Sequence, residues 1–402
     1  MIQSSNRQQI VDTIRGISLL GILLSNMLIF QFGMLGKDEL ELFQLSAFEK
    51  GMHVFVKIVI ESSFMPIFTF LFGFGLYKMM ESLENKGLKF RRILSRRYLL
   101  LLGLGFLHSH FIWEGDILLF YGLMGFFLFF FLRRKAKTVL IWAIVLLSIL
   151  GLAGLIGGSE LTGTTGLEKE KVEAYIIKSK EAYGNGTYGE VIEFRKEESP
   201  MLEDEWMLLV ALLVAPLLTA PLFLLGIYAA KKNWFKNPLE NRRFFFRNAS
   251  IFIPIGLILK TISNVWPESL LSGFGIAVGG TILAIGYMMG FAWLLAGRQS
   301  SALTNGFTAV GKLSLTNYLM QSVIATTIFY GYGLGLFGKA GVTAGIGIAL
   351  GIYVLQMIAS SLYLKRFSIG PVEWLLRIWT YWSWKGKPKQ KAPKAPDIGV
   401  TS

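Results

Sequence analysis

Cysteine is absent from the 402 residues of this chain, and histidine occurs only three times. The chain therefore has no disulfide, thiolate nucleophile or thiolate ligand, and three histidines leave little from which to build a metal site. We expect no bound metal. Charged residues are also scarce, at 16% against 53% hydrophobic residues. That balance excludes an ordinary soluble domain and is typical of an integral membrane protein that crosses the bilayer several times.

The formal net charge of +14 does not indicate a nucleic-acid partner. Nucleic-acid-binding surfaces combine a basic face with interleaved exposed aromatic residues, and no such pattern is present. The basic residues instead occupy short segments between long apolar runs, as expected of loops that set membrane orientation. The lipid bilayer is therefore the expected partner. The first apolar run has no small-residue cleavage site, so we interpret it as a membrane helix and not as a signal peptide.

Ten apolar runs predict an all-α, polytopic membrane protein with about ten transmembrane helices. Crossing a hydrocarbon core of roughly 30 Å requires about 17 to 25 consecutive apolar residues. The predicted spans are approximately Ile14 to Met34, Val54 to Tyr77, Tyr98 to Ile112, Asp116 to Leu132, Thr138 to Ile156, Trp206 to Tyr228, Ser250 to Trp266, Gly273 to Leu295, Leu313 to Tyr332 and Ala340 to Leu364.

Lysine and arginine predict which side each loop occupies, because short loops rich in these residues stay in the cytoplasm. Basic clusters follow the second, fourth and sixth spans and include Arg97, Arg134 and Lys232. With ten spans, all these clusters fall on the same side as the basic C-terminal tail. Both termini are therefore predicted to be cytoplasmic.

We expect residues 1–382 to form a single membrane domain with two attachments. The long loop 157–205 faces outward, and its middle predicts a short amphipathic helix that breaks at Gly184 to Gly186. This loop is either a solvated cap or a gate over an outward-facing site. Residues 370–382 are Trp-rich and predict a helix in the membrane interface. The Lys- and Pro-rich residues 383–402 predict a basic cytoplasmic tail near anionic lipid.

The strongest candidate site is the hairpin LGFLHSHFIWEGDILLFYGLMG, residues 104–125, which holds two histidines and two carboxylates in an apolar setting. Polar groups are costly inside a bilayer, and a histidine beside a carboxylate has the parts of a general base and its orienting partner. His108 and His110 cannot share a helix face, so only one points into the bundle. We select His108 and Asp116 as catalytic candidates. The structural alternative is that His108 binds a neighbouring helix and Asp116 caps the fourth span, with Glu114 as a solvated turn residue.

Two polar residues of the first span are binding candidates. Arg15 lies three residues after Asp12, so the two share a helix face; they form an ion pair at the helix end, or Arg15 meets an anionic ligand. Asn26 lies about 18 Å along this helix, and His108 lies about 15 Å along the third span, so their depths agree. Asn26 lines a cavity or, alternatively, forms an interhelical hydrogen bond.

The segment LSLTNYLMQS brings four polar side chains into the ninth span within seven residues. Asn317 and Gln321 are four residues apart and so share a face of the helix. This density favours the lining of a cavity over simple helix association. In the second span, FMPIFTFLFGFG predicts a packing helix kinked at Pro66.

With these segments in view, the chain resembles the YeiB family of bacterial inner-membrane proteins, whose domain has no known function. The resemblance runs from end to end and rests on DTIRGISLLGILLSN, FMPIFTFLFGFG, LHSHFIWEGDILLFYGLMG, LSLTNYLMQS with FYGYGLGLFG, and GPVEWLLRIWTYW. It implies a multi-pass protein of the bacterial inner membrane. The family is grouped with transmembrane acyltransferases, similar to the lysosomal glucosaminide acetyltransferase and the sugar O-acyltransferases of bacterial envelopes.

This grouping implies specific roles. Asp12, Arg15 and Asn26 match the shared first-helix pattern, and His108 with Asp116 matches the YeiB hairpin pattern. The acetyltransferase carries its catalytic histidine about a dozen residues after the first-helix asparagine, whereas the stretch around residues 37–38 of this chain has none.

The sequence therefore favours a membrane acyltransferase that moves an acyl group from a cytoplasmic donor to an acceptor at the outer face. His108 is the expected general base, Asp116 orients it, Asn26 and Gln321 line the passage, and Arg15 attracts donor phosphates. Acyl-CoA is the expected donor substrate, with no permanently bound cofactor, and an envelope glycan or small molecule is the expected acceptor. The alternative is a transporter or exporter of a small anionic or amphipathic molecule. The oligomeric state is not predicted.

Overall fold

The computed structural model of the protein describes residues 2–157, 169–198, 205–298 and 301–388. Within these ranges, side chains are described from residue 9 onward, except for residues 205–215. Every regular element of the described chain is helical, so the all-α prediction is confirmed for it.

Seventeen α-helices, one 3₁₀ turn and one π-helical turn follow each other along the described chain. In order they are α1 Ile2–Phe32, the 3₁₀ turn Leu40–Phe43, α2 Ala47–Val59, α3 Met65–Asn85, α4 Phe90–Phe111, α5 Leu118–Phe127, α6 Phe129–Leu132, α7 Ala136–Gly157, α8 Lys169–Asn185, α9 Tyr188–Glu197, α10 Glu205–Lys231, α11 Arg242–Val265, α12 Ser272–Phe274, the π turn Gly275–Gly279, α13 Gly280–Leu295, α14 Ala302–Lys312, α15 Ser314–Phe329, α16 Val342–Tyr363 and α17 Pro371–Tyr381.

Five stretches of helix are long and apolar enough to cross a membrane in the described part of the chain: Gln9–Phe32, Ala136–Gly157, Arg242–Val265, Ser272–Leu295 and Val342–Tyr363. Two shorter apolar segments accompany them: Leu118–Phe127, which is α5, and Pro216–Lys231, which is the part of α10 whose side chains are described. These helices support a membrane protein. The remaining helices are too short for this criterion or carry charges, as α4 does with four arginines in its first two turns.

The predicted second span is not one kinked helix. The chain leaves the helical path between α2 and α3, where Ser62 adopts a positive φ of 56°. Pro66 lies in the first turn of α3, where its missing N–H costs no hydrogen bond. The proline therefore starts a helix here, and the kink predicted at Pro66 is wrong.

The helices bring the loops to two opposite ends of the bundle. At the end that we call the basic end, the Arg133 guanidinium binds Glu84 at 2.8 Å and Lys231 donates to the carbonyl of Leu132 at 2.8 Å. The opposite end, which we call the cap end, carries the ion pair of Lys37 with Glu61 at 2.8 Å. At the cap end, burial opposes the charge of Lys37, but Glu61 and Asp38 outweigh burial and raise the pKa of Lys37.

Helix α1 runs through the middle of the bundle and packs against α3, α14, α15 and α16. Its contact with α14 is backbone to backbone: a Cβ atom on Gly16 would lie 2.0 Å from the carbonyl oxygen of Phe307, and one on Gly311 would lie 1.8 Å from that of Asp12. Glycine at these two positions lets the backbones of α1 and α14 approach closely, so the two helices are held by van der Waals contact between backbones.

The described part of the long loop 157–205 belongs to the main core. Helices α8 and α9, which we call the cap, bury Tyr183, Val191 and Phe194 in one cluster with Trp113 and Tyr318 of the helices below. The predicted break is confirmed, since α8 ends at Asn185 and α9 begins at Tyr188 with a capping box. Residues 158–168 and 199–204 of the loop lie outside the described residues.

Helix α17 matches the predicted interfacial helix in extent, and four tryptophans are exposed in and after it: Trp374 and Trp379 in the helix, and Trp382 and Trp384 just beyond it. Helix α17 packs against α4 and α15, and one carboxylate bonds it to α15. Glu373 accepts hydrogen bonds from the backbone N–H groups of Leu315 (2.8 Å) and Thr316 (3.0 Å) and from the Thr316 hydroxyl (2.6 Å). A carboxylate is favourable here because the first N–H groups of a helix lack partners within the helix. Residues 389–402 of the predicted tail lie outside the described residues.

We predict that Glu373→Gln lowers the thermal stability of the purified protein, because an amide accepts more weakly than a carboxylate at the start of α15. The expected loss is about 1–2 kcal/mol, measured from the unfolding midpoint in detergent. Glu268→Gln is the matched control, since Glu268 is exposed beyond the end of α11. An equal midpoint for the two variants would contradict the role given to Glu373.

Candidate functional site

The hairpin of α4 and α5 forms through an unusual sharing of one carbonyl. The backbone N–H groups of Ile112 and Trp113 both donate to the carbonyl oxygen of His108, each at 2.9 Å. These two hydrogen bonds to one carbonyl oxygen end α4 and turn the chain toward Asp116. The last turn of α4 and the first turn of α5 are thereby brought side by side.

His108 and Asp116 form a buried pair at this point. The His108 Nδ1 atom lies 2.8 Å from Asp116 Oδ1, and the two side chains are 2% and 1% exposed. The other carboxylate oxygen, Oδ2, accepts the backbone N–H of Leu119 at 2.8 Å. Asp116 therefore combines the two roles that the sequence left open, because it caps α5 and also holds the histidine.

The hydrogen bond to Asp116 determines which ring nitrogen can act as a base. An ionised carboxylate only accepts hydrogen bonds, so Nδ1 of His108 must carry the proton that it donates. In the neutral ring, Nε2 then presents its lone pair. Nε2 is buried and has no hydrogen-bond partner among the described residues. This arrangement of an oriented imidazole with a free basic nitrogen is suited to general-base catalysis.

Tyr318 of α15 joins the pair to the neighbouring helix. Its ring centroid lies 5.6 Å from that of His108, and its hydroxyl accepts the backbone N–H of Ile117 at 3.3 Å. His110 takes no part in the pair: it is partly exposed and stacks on Phe106 at 6.0 Å. The prediction that only one of the two histidines points inward is confirmed.

Close packing of α4 on α5 depends on Gly105. A Cβ atom at this position would lie 2.2 Å from the backbone nitrogen of Leu119 and 2.7 Å from Asp116 Oδ2. Any side chain would push the two helices apart at the level of the capping bond. Sequence inspection alone gave no role to this glycine.

The first-helix candidates lie elsewhere in the bundle. Arg15 donates to Asp12 at 2.7 Å and lies 3.5 Å from the carbonyl oxygen of Gly311, so the predicted ion pair forms at the basic end. The half-buried side chain of Asn26 makes no hydrogen bond with any described residue. The interhelical bond that was the alternative role for Asn26 is therefore not present in the described chain.

Asn317 and Gln321 share a buried helix face, as predicted, and that face meets α16. Gln321 donates to the side chain of Gln356 at 2.9 Å, and Gln356 donates to the backbone carbonyl of Asn317 at 2.9 Å. The Asn317 amide donates to the Ser360 hydroxyl at 3.0 Å. These bonds form a polar ladder between α15 and α16, and neither Asn317 nor Gln321 bonds His108 or Asn26.

The cap covers the turn of the hairpin with a group that sequence inspection missed. Arg195 of α9 is 8% exposed, donates to the carbonyl of Ile112 at 3.2 Å and places Nε 3.7 Å from a Glu114 carboxylate oxygen. The Tyr183 hydroxyl donates to the same carboxylate at 2.9 Å. Burial and the neighbouring Glu114 carboxylate raise the pKa of Tyr183 well above its ordinary value, so it remains a donor. Glu114 is thus bound beneath the cap, and its interpretation as a solvated turn residue is wrong.

Lys260 is the second buried charge that the site candidates omitted. Its ammonium donates to the carbonyl of Glu61 and to the Ser63 hydroxyl, the latter at 3.1 Å, where the chain breaks between α2 and α3. The available signal was a lysine inside a predicted span. No group of three or more His, Asp or Glu side chains suitable for a metal occurs in the described part of the chain.

Comparisons with known proteins give relatives over nearly the whole chain. The chain is 33% identical to the uncharacterized protein YxaH of Bacillus subtilis (strain 168), over 95% of this chain and 96% of that protein. It is 27% identical to the uncharacterized protein YeiB of Escherichia coli (strain K12), over 92% and 95%. A family model described as "Protein of unknown function (DUF418)" matches residues 229–383, a range that does not include the hairpin. No solved structure matches the chain.

We predict that Gly105→Ala destabilises the protein by about 1–3 kcal/mol, because the added methyl group meets backbone and carboxylate atoms that cannot move independently. Gly103→Ala is the matched control on the same helix, since a Cβ atom there has no neighbour within 4 Å. The control should be neutral or stabilising by up to about 1 kcal/mol. Thermal unfolding in detergent measures both, and equal effects would contradict the close packing at Gly105.

Proposed function

Since this chain belongs to the YeiB-like family of uncharacterised DUF418 proteins, we propose a function from its own hairpin: a membrane-embedded acyltransferase with His108 as general base. One observation carries the proposal. Nδ1 of His108 lies 2.8 Å from the Asp116 carboxylate, and Nε2 is buried with no hydrogen-bond partner among the described residues. A buried imidazole with this geometry is costly for a purely structural role, which one hydrogen-bonding residue could serve.

The proposal includes a topology of ten spans with both termini in the cytoplasm of a bacterial inner membrane. The five long apolar helices and the two shorter ones support it. The convergence of basic loops at one end of the bundle also supports it, because such loops stay cytoplasmic. In this orientation the basic end faces the cytoplasm, and the cap end faces outward.

The proposed reaction transfers an acyl group from a thioester such as acyl-CoA to a hydroxyl group. Nε2 of His108 takes the hydroxyl proton while the acceptor oxygen forms a bond to the thioester carbonyl carbon. The carbon–sulfur bond then breaks, and the proton passes from Nε2 to the departing thiolate. Asp116 keeps the ring in the correct tautomer and stabilises the imidazolium that forms between these steps. Acyl-CoA is a substrate in this scheme, and no resident cofactor is needed.

The basic end has the charges that a phosphorylated donor requires. Burial lowers the pKa of Arg97, and the positive charges of Arg15 and Arg377 act in the same direction, while Tyr98 and Tyr381 oppose them. Asp12 pairs with Arg15 at 2.7 Å and also interacts with the charge of Lys312. Guanidinium groups bind phosphate oxygens in bidentate fashion, so the diphosphate of a CoA thioester is a suitable counter-ion for this cluster.

The remaining candidates line the proposed path between the two ends. Asn26 contributes its unbonded amide from α1. Asn317 and Gln321 hold the wall formed by α15 against α16 through their bonds with Gln356 and Ser360. By holding α15 in place, these bonds keep Tyr318 of the same helix against the ring of His108.

A carrier is the second candidate function, because His108 and Asp116 are both almost fully buried. A buried pair meets a substrate only after the bundle opens, and alternating exposure of a polar pair is how a carrier works. Transport would move a substrate across the bilayer without breaking a thioester bond.

We predict that His108→Gln reduces acyl transfer at least about 100-fold in liposomes that contain the purified protein and labelled acyl-CoA. Glutamine retains a hydrogen bond to Asp116 but has no basic nitrogen. His110→Gln, two residues away on a partly exposed face of the same helix, is the matched control and should retain activity. Unchanged transfer in His108→Gln, with both variants folded and inserted, would disprove the role of His108. Flux of labelled substrate without transfer would favour the carrier.

A further inference from the structure

Unpaired buried polar atoms concentrate at the turn of the hairpin. Six buried side-chain atoms lack a hydrogen-bond partner in the part of the chain whose side chains are described: Gln31 Oε1, Tyr98 Oη, His108 Nε2, Trp113 Nε1, Arg195 Nε and Ser272 Oγ. Three of the six belong to residues joined through one turn, since Trp113 donates its backbone N–H to His108 and Arg195 donates to Ile112. Buried polar atoms in native proteins are almost always paired, so such a concentration indicates groups that a ligand satisfies.

Arg195 has the setting of a binding residue. Its guanidinium lies over the rings of Tyr183 and Tyr330, 5.6 Å from each centroid. The Glu114 carboxylate balances its charge from 3.7 Å, which is too far for a direct hydrogen bond. The pair is therefore neutral overall and retains unused hydrogen-bonding capacity on the Arg195 side.

We propose that the turn of the hairpin and the cap form a binding site for a neutral, polyhydroxylated molecule such as a sugar unit, with Arg195 and Glu114 as its recognition pair. The inference rests on the proposed function, in which this molecule is the acyl acceptor. It adds the class of acceptor and the residues that select it.

The chemistry of the free groups selects hydroxyl groups. The indole N–H of Trp113 and the Nε–H of Arg195 donate, whereas Nε2 of His108 and the Glu114 carboxylate accept. A hydroxyl group donates and accepts at once, so a molecule with several hydroxyls satisfies both kinds of group. An anion would meet the Glu114 carboxylate and leave Nε2 without a donor. A cation would be repelled by the positive charge of Arg195.

The aromatic rings favour the same class of ligand. Tyr183 and Tyr330 stand beside the recognition pair with their centroids 4.8 Å apart. Both rings are fully buried, so a ligand reaches them only when α9 moves away from the hairpin. That movement must break the hydrogen bonds of Arg195 to Ile112 and of the Tyr188 hydroxyl to the carbonyl of Phe111 at 2.8 Å, and it must also uncover the buried side chains of Val191 and Phe194.

The test measures ligand-induced thermal stabilisation of the detergent-purified full chain. The probes are two neutral polyols, glucose and trehalose, and two anionic counterparts, gluconate and glycerol 3-phosphate, at equal concentrations. The proteins are wild type, Arg195→Gln and Lys196→Gln. Lys196 is the matched control, because it is the exposed neighbour on α9 and loses the same charge. General stabilisation by polyols is equal in all three proteins and cancels in the comparison.

We expect at least one neutral polyol to raise the unfolding midpoint of wild type and Lys196→Gln by about 2 °C or more beyond its effect on Arg195→Gln. Glu114→Gln, which preserves shape, should also lose this increment, and it tests the site if Arg195→Gln does not fold. Equal shifts in all proteins, or an increment produced by an anion, would overturn the inference. Because the measurement needs no acyl donor, it remains informative even if acyl transfer by this protein is disproved.

Discussion

The hydrogen bond between His108 and Asp116 is the contact on which the arrangement of the hairpin depends. In a bilayer-embedded bundle, a carboxylate without partners is too costly to retain, so each of its oxygens must be engaged. Asp116 meets this requirement with one oxygen on the imidazole and the other on the backbone of Leu119. The same two bonds fix the start of α5, the end of α4 and the tautomer of the histidine. Structure and chemistry therefore cannot be separated at this residue.

Local features of the sequence predicted a large part of the architecture. Apolar length predicted the helical class, the glycines at 184–186 predicted the break between α8 and α9, and the spacing of two predicted that only one of His108 and His110 points inward. Each of these depends on residues close together in the chain, where helix periodicity and turn chemistry act directly. The pairing of His108 with Asp116 is of the same kind, because eight residues and one tight turn separate them.

Distant contacts explain what the sequence did not predict. Arg195 meets Glu114 across 81 positions, and Gln321 meets Gln356 across 35, with no local pattern to join either pair. An arginine in a charged outer loop has the same appearance in sequence whether it is solvated or buried between two tyrosines. The sequence also did not predict the break at Ser62, because Pro66 is compatible with both a kink and a helix start; the positive φ of Ser62 shows which of the two occurs.

The attachment of α17 has a mechanical consequence. Its exposed tryptophans suit the boundary between lipid head groups and acyl chains, whereas Glu373 holds two backbone groups and a hydroxyl of α15. A change in bilayer thickness that raised or lowered α17 would have to break those three bonds or displace α15 with it. Helix α15 carries Tyr318, which touches the ring of His108. The depth of a surface helix and the position of the buried pair are therefore mechanically connected through α15.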